Sequence, residues 1–478
     1  MPLRAKIIAP KMSGQRGFAS STDIPKELPG DEDNDVLFNQ QYGVRTIELN
    51  RPKKLNSLNG SMARKIIPRL KEWEKSQMAN VIIIKGAGRA FCAGGDVAAL
   101  AQQCQQGEEG QQAAKDYFAL EYKLDHLIAT YPKPYVAFMD GITMGGGVGL
   151  SVHAPIRIAT EKTVFAMPET TIGFFPDVGA SFFLPRMDGE IGMYLALTSE
   201  QLKGVNVFLA GIATHYIHST SLPDLEARLS ELTFKDYMPL QERLRLIDST
   251  VEEFCTGMPT ANDQPLQLPL KIRRAIDYCF QPTYTITAIL ASLDQVVEHE
   301  NSAADVKEWA RKTKDTILQR SPTSVKVTLK QLRDGGAWNI AETFRREHNI
   351  AARFMEHPDF VEGVSARLMR KPPQQPKWTP ESLDEVSDRD VAAFFDRTPE
   401  LELLATGKGA AYVDYPHAWI GLPREVEVER VVKQGGKMKE EVVQHFVAER
   451  NGKMGVREKV EEVLDRRTKE EKGQLLWQ

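Results

Sequence analysis

Two glycine-rich segments hold the residue types best suited to chemistry in this chain: Phe91-Cys92-Ala93-Gly94-Gly95-Asp96 and Gly141-Ile142-Thr143-Met144-Gly145-Gly146-Gly147-Val148-Gly149-Leu150. Each follows a short apolar run, Val81 to Lys85 and Tyr135 to Met139. Backbone without Cβ can approach a ligand closely and point N–H groups at it. Two such loops at the ends of two strands could supply two donors to one oxygen, which is how an oxyanion hole for a thioester or ester is built. The alternative is a pair of tight turns with no chemistry. Other chemistries lack their motifs. No G-x-G-x-x-G opens a helix, because the third glycine counted from Gly145 would fall on Leu150. There is no G-K-[ST] loop, no H-E-x-x-H and no Cys/His cluster at metal spacing. Cys92, Cys104, Cys255 and Cys279 form no C-x-x-C pair and read as reduced structural thiols. Cys92 has no evident His partner and reads as a small packed residue, and His153 as a core or helix-end histidine.

The elements that must position these loops follow from periodicity. Val36 to Phe38 and Val44 to Leu49 read as a hairpin with Gly43 near its turn. Ser57 to about Gln77 reads as a helix, with Met62, Ile66, Leu70 and Trp73 on one face, and Gln111 to Ala129 as another. Val81 to Ile84 and Tyr135 to Met139 are buried strands; Ile156 to Ala159 and Val164 to Ala166 are short ones. From about Leu222 the pattern turns helical, as in Val251 to Phe254, Lys271 to Phe280 and Ser302 to Gln319. Ser321 reads as an N-cap with Pro322 at the first helical position. Lys371 to Lys377, rich in Pro, marks a boundary or surface crossing. The alternation fits an α/β layered fold.

The chain has 478 residues, 42% of them hydrophobic, enough for one large domain with appendages. A net charge of -4 gives no global pull toward nucleic acid, and no run of 18 apolar residues suggests a membrane span. The first 22 residues hold Arg4, Lys6, Lys11 and Arg16 with several serines and no acid, the signature of a transit peptide, with cleavage expected after Phe18. The acidic, Pro-bearing stretch that follows reads as a linker.

These motifs, taken together, resemble the crotonase (enoyl-CoA hydratase/isomerase) superfamily. Leu49-Asn50-Arg51-Pro52, Leu55-Asn56-Ser57-Leu58-Asn59 and the two glycine segments carry the likeness in the N-terminal half. Phe165 to Thr170, Phe174 to Gly179, Ala210 to His215, Ser321 to Ser324 and His357 to Val364 make it similar to the 3-hydroxyisobutyryl-CoA hydrolase branch, over roughly residues 36 to 380. The resemblance implies a right-handed spiral of ββα units with C-terminal helices, here with an additional C-terminal extension. It implies a coenzyme A thioester held between the loops, with the amides of Gly95 and Gly146 as oxyanion donors. Gly146 would open a helix toward His153, which puts its N–H at a positive dipole end.

Hydratases of the superfamily use two glutamates. The position of one of them, three residues after the middle glycine of the triplet, is Gly149 here; the other is present as Glu169, and Asp177 follows eight residues later. A positioned acid or base typically contributes about 10²–10⁴-fold, so losing one disfavours hydration. Thioester hydrolysis needs the hole and one carboxylate. Glu169 could activate water as a general base, or attack the carbonyl to give a mixed anhydride. Asp177 is expected to accept a hydrogen bond from a 3-hydroxyl, a discrimination of ~1–3 kcal/mol. Glu121 matches a substrate-binding position of the hydrolase branch; a helix-surface acid is the alternative. Lys53 or Lys54 could meet a phosphate of the CoA nucleotide. No metal or redox cofactor is expected, since coenzyme A is part of the substrate.

The expected organisation is a transit peptide over 1–18, an acidic linker over 19–35, a crotonase-like acyl-CoA hydrolase domain over 36–380 and an extension over 381–478. The first functional reading is hydrolysis of 3-hydroxyisobutyryl-CoA in valine breakdown in the mitochondrial matrix. The second is an enoyl-CoA hydratase or isomerase. The third is a structural component of the mitochondrial small ribosomal subunit, with or without retained activity. In that reading the Tyr412 to Arg424 segment or the charged stretch from Lys437 to Lys472 docks on protein or rRNA. From Arg424 to Lys472 a solvated helical pair is the plainer expectation. No membrane partner is expected, and a homo-oligomer stays open.

Overall fold

The structure, a computed structural model, describes residues 24–235, 237–396, 400–405, 409–471 and 474–478. The expected transit segment 1–18 lies outside the described residues.

Strands β1 (Val36–Gln41) and β2 (Val44–Leu49) form an antiparallel hairpin turned at Tyr42 and Gly43. Three strand pairs follow: β3 (Val81–Gly86) with β4 (Ala90–Cys92), β5 (Tyr135–Met139) with β6 (Ile142–Met144), and β7 (Ile156–Ala159) with β8 (Val164–Ala166). In each pair the first strand joins a six-stranded sheet ordered β1-β2-β3-β5-β7-β10. The second joins a four-stranded sheet ordered β4-β6-β8-β9, where β9 is Leu202–Lys203 and β10 is His215–Tyr216. Neighbours from β2 to β10 and from β4 to β8 run parallel. Each repeat is one turn of a ββα spiral. Alternate residues of the buried strands face two cores: Ile82, Ile84 and Ala137 the larger one, Val81, Ile83, Val136 and Phe138 a smaller one. Leu222–Ser230 and Leu240–Glu252 cover the smaller core.

This topology brings three segments to one place. β4, β6 and β8 are adjacent parallel strands, so the stretches after Cys92, Met144 and Ala166 leave the sheet side by side. In parallel sheets, the carboxyl ends of strands are where ligands bind.

Several helix boundaries move from their expected places for local reasons. The first helix begins at Gly60, not Ser57, because the Asn59 side chain accepts from the Met62 amide at 2.9 Å and caps it. That frees Leu58 to pair with Gly95 in a parallel bridge. The helix expected from Gln111 starts at Glu108. Of the stretch Val251 to Phe254, only Val251 and Glu252 are helical, as the end of Leu240–Glu252. Ser321 does cap Pro322–Gly335, accepting from the Ser324 amide at 3.1 Å.

The acidic stretch expected as a linker is tied down from Asp31 onward. Asp31 pairs with Arg64, Glu32 with Arg51 at 2.8 Å, and the buried Asp35 with Lys65 at 2.6 Å. The reason is that Arg51, Arg64 and Lys65 line the adjoining loop and helix face, and sequence patterning carries no sign of that proximity.

The helical pair expected after Arg424 is corrected to three helices, Glu425–Lys433, Lys439–Glu449 and Val456–Arg467. A hairpin of β11 (Thr468–Glu471) and β12 (Gln474–Trp477) follows. Val428, Val442, Val443, Val460 and Val463 are buried in the larger core. Several charges expected in solvent are buried as well. Arg466, its side chain 1% exposed, meets Asp277 at 2.5 Å and Glu425 and Glu462 at 2.7 Å. The Lys453 ammonium contacts His215 Nε2 at 2.7 Å, Asp248 at 3.2 Å and Glu252 at 2.6 Å. The aromatic segment from Tyr412 is likewise turned inward. The Tyr415 hydroxyl donates to the Ala154 carbonyl at 2.7 Å, and Tyr412 packs edge-on against Phe182. These rings are therefore not free to anchor a partner. No helix among the described residues is long and apolar enough to cross a membrane.

Candidate active site

The two glycine loops meet. A Cβ placed on Gly146 would lie 3.4 Å from the Gly95 nitrogen and would collide with Glu121 Oε1. Gly94 has φ +102° and Gly145 φ +45°, backbone that side chains rarely adopt, so the sharp turn of each loop requires glycine. In the bridge to Leu58, the Gly94 carbonyl and the Asp96 amide are used, which leaves the Gly95 N–H pointing away from that pairing. Gly146 is the first residue of the helix Gly146–Val152, whose leading amides have no intrahelical acceptor. Among the described residues, neither amide donates to a backbone carbonyl outside its own element.

Glu169 comes from the stretch after β8. Its Oε1 would be 3.0 Å from a Cβ on Gly145, so the carboxyl borders the gap between the loops. Its Oε2 is buried without a hydrogen-bond partner. Burial, and then the field of Asp177, pushes this carboxyl well above the usual range. Asp177 accepts a 2.6 Å hydrogen bond from Tyr122 and is lifted by burial to about 7. Glu121 is 2% exposed on the inner face of Glu108–Ala129, not on its surface, and burial raises it too. The structure thus brings Gly95, Gly146, Glu121, Glu169 and Asp177 to one site.

Two further acids join them that sequence reasoning missed. Asp125 lies one helical turn beyond Glu121, fully buried, with both oxygens unpartnered. A Cβ on Gly149 would stand 2.6 Å from Asp125 Oδ2. The space of the absent family glutamate is therefore taken by an acid from another helix. The spacing of Glu121 and Asp125 put both on one face, and that was the available signal. Glu347 accepts from the amides of Gly179 at 2.7 Å and Ser181 at 2.9 Å, and burial raises it to about 8. It holds the turn that follows Asp177 and is visible only in three dimensions. Tyr117 donates to the Leu58 carbonyl at 3.1 Å and stands over Gly95.

Cys92 is buried beside the loop, its thiol pushed up to about 12 by burial, and is no nucleophile. His153 is buried with Nε2 2.8 Å from the Val178 carbonyl, and burial pulls it down to about 4. Lys54 is 4.0 Å from Asp96 and mostly exposed; no contact places Lys53 at the site. A cavity of about 400 Å³ flanks the Gly95 loop, lined by Leu58, Asn59, Arg64, Asp96 and Tyr117, with Leu28 of the N-terminal segment at its edge. One group among the described residues, His215, Asp248 and Glu252, has the spacing of a metal site, and the Lys453 ammonium stands among its ligand atoms. Two neighbouring loop amides without a backbone acceptor, beside a carboxyl, are the kind of groups that polarise a thioester carbonyl and activate or replace a water at its carbon.

The sequence pattern of the enoyl-CoA hydratase/isomerase family matches residues 44–395. The small ribosomal subunit protein mS47 of Neurospora crassa is 54% identical over 480 residues, covering 99% of this chain and 93% of that protein. The mitochondrial 3-hydroxyisobutyryl-CoA hydrolase of Gallus gallus is 45% identical over 363 residues, 76% of this chain and 88% of that protein. Among solved structures, a carnitinyl-CoA dehydratase from Mycobacterium thermoresistibile superposes with a TM-score of 0.66 at 33% identity, over 77% of this chain and 99% of that one.

Proposed function

This chain belongs to the enoyl-CoA hydratase/isomerase family, and from that premise we propose that it is a component of the mitochondrial small ribosomal subunit that keeps a thioester-hydrolysing site. One observation carries the ribosomal part: the likeness to mS47 runs along 99% of the chain, whereas the Gallus gallus hydrolase matches 76% of it. A mitochondrial location follows from the same reading. The test is sedimentation of mitochondrial lysate. The protein should travel with the small subunit, and a protein found wholly among free matrix enzymes would end the ribosomal assignment.

A specific observation favours retained chemistry. The amides of Gly95 and Gly146 and the carboxyl of Glu169 border one gap. In this reading the two amides hold the thioester oxygen as negative charge develops on it. Glu169, once ionised, takes the proton of an attacking water, or attacks the carbonyl carbon itself to give a mixed anhydride that water then opens; in either route the CoA thiolate leaves. Asp177 and Glu121 contact the acyl part, with Asp177 set to accept from a hydroxyl. The cavity beside Gly95 is the approach for the pantetheine arm, with Arg64 and Lys54 near its mouth for phosphate. The substrate class is a short 3-hydroxyacyl-CoA, with 3-hydroxyisobutyryl-CoA as first choice; no separate cofactor enters. Hydration is disfavoured because Gly149 supplies no acid. Glu169→Gln should lower CoA release at least about 10²-fold with the fold intact. Full thiol release by that variant would refute the assignment of Glu169.

A further inference from the structure

Between the body and the C-terminal extension lies a half-closed cavity of about 120 Å³. Its wall is mainly apolar, with Phe182, Phe183, Met187 and Ile212 from the body and Leu422 and Pro423 from the extension. Four cations border it, Arg157, Arg186, Arg424 and Lys459, against a single carboxylate, Asp188. Two of the four have acids: Lys459 meets Asp188 at 2.7 Å, and Arg424 has Glu427 at 3.7 Å. Neither Arg157 nor Arg186 has a carboxylate within ion-pair distance among the described residues. Arg186 gives both terminal nitrogens to the carbonyls of Phe182, Gly335, Gly336 and Trp338.

Arg157 is different. It is 7% exposed. Its Nε donates to the Ile212 carbonyl at 2.6 Å, and Nη1 to the Ala154 carbonyl at 2.7 Å and the Tyr415 hydroxyl at 3.2 Å. Its Nη2 hydrogens have no protein acceptor among the described residues. His153 and His417, both pulled down to about 4 by burial, add no charge to the lining. A buried guanidinium with one terminal nitrogen unused and no counter-charge is costly, and carbonyl dipoles offset only part of that. A water needs roughly 10–15 Å³ of such space, so the cavity has room for a small organic anion. Apolar walls disfavour a heavily hydrated phosphate and suit a carboxylate with a short aliphatic tail.

We propose that this seam cavity binds a small aliphatic monocarboxylate, with its oxygens on Arg157 Nη2 and its tail against Phe182, Ile212 and Leu422. The site exists only with the extension in place, because Tyr415, His417, Leu422, Pro423, Arg424 and Lys459 complete its wall. It is separate from the thioester site and does not depend on that reading.

Calorimetric titration of the full-length protein tests it, with isobutyrate, the neutral isostere isobutyramide and inorganic phosphate as probes. Isobutyrate should bind at one saturable site, and isobutyramide at least tenfold more weakly. Arg157→Gln should weaken isobutyrate at least tenfold. Ala418→Leu, which fills the cavity and leaves every charge in place, should do the same, while Glu169→Gln binds as the natural chain does. Equal binding of the amide, tighter binding of phosphate, or undiminished binding by Ala418→Leu would overturn the proposal. If Arg157→Gln fails to fold by circular dichroism, Ala418→Leu decides alone.

Discussion

Gly149 and Asp125 compete for one volume, and the outcome fixes which reactions the site can host. Hydratases of the family carry an acid where Gly149 stands. Restoring it here would not restore hydration, because the new Cβ meets Asp125 at 2.6 Å and Val178 at 2.8 Å. Gly149→Glu should yield no enoyl-CoA hydratase activity and lose about 1–3 kcal/mol of stability to overpacking, read from denaturant unfolding and a 2-enoyl-CoA assay. The crowd of buried acids has its own signature. Asp125, Glu121 and Glu169 are all held well above their ordinary values by burial, Asp177 to about 7 and Glu347 to about 8. A raised pKa in the folded chain means tighter proton binding than in the unfolded one. Stability from these groups is therefore full at acid pH and lost as pH rises through about 7 and about 8. From about pH 4, where the unfolded carboxyls ionise, to about pH 8 the unfolding free energy should fall, and Asp125→Asn should flatten that fall; a slope unchanged by the substitution would remove Asp125 from the titrating set.

The ββα repeat explains why the reactive segments are legible in the sequence. Each glycine loop follows an apolar strand, and the parallel neighbours β4, β6 and β8 necessarily deliver their following loops together. Gly95, Gly146 and Glu169 were legible from motif and order. Asp125 was not, because a buried acid on a helix looks like a surface acid until its partner helix is known. Glu347 lies far along the chain from the turn it holds, beyond the reach of any local pattern. The extension was misread for a related reason: its charge density suggested solvent, yet the valine spacing on Val456–Arg467 is that of a core face. Arg466 makes the point quantitatively. Two of its three carboxylate partners, Asp277 and Glu425, are buried with it, so Arg466→Met should leave Asp277 without its close partner and cost about 3–5 kcal/mol, measured as a lower denaturation midpoint. A loss below about 1 kcal/mol would mean that the network is solvated after all.

Taken as one body, the described residues are fastened on the N-terminal side and on the C-terminal side. Asp31, Glu32 and Asp35 clamp the N-terminal stretch near the Gly95 loop, while the extension shares the larger core. One of the fastenings has an unusual chemistry. The Lys453 ammonium has three protons, and His215, Asp248 and Glu252 offer it three acceptors whose ligand atoms lie within 4.8 Å of one another. A nitrogen and two carboxylates at that spacing are what zinc accepts. The lysine thus does the work of an ion, and the two should be interchangeable. Lys453→Ala should lower the melting temperature, micromolar zinc should restore much of it, and a chelator should take the gain away again, turning an ionic rivet into a removable one.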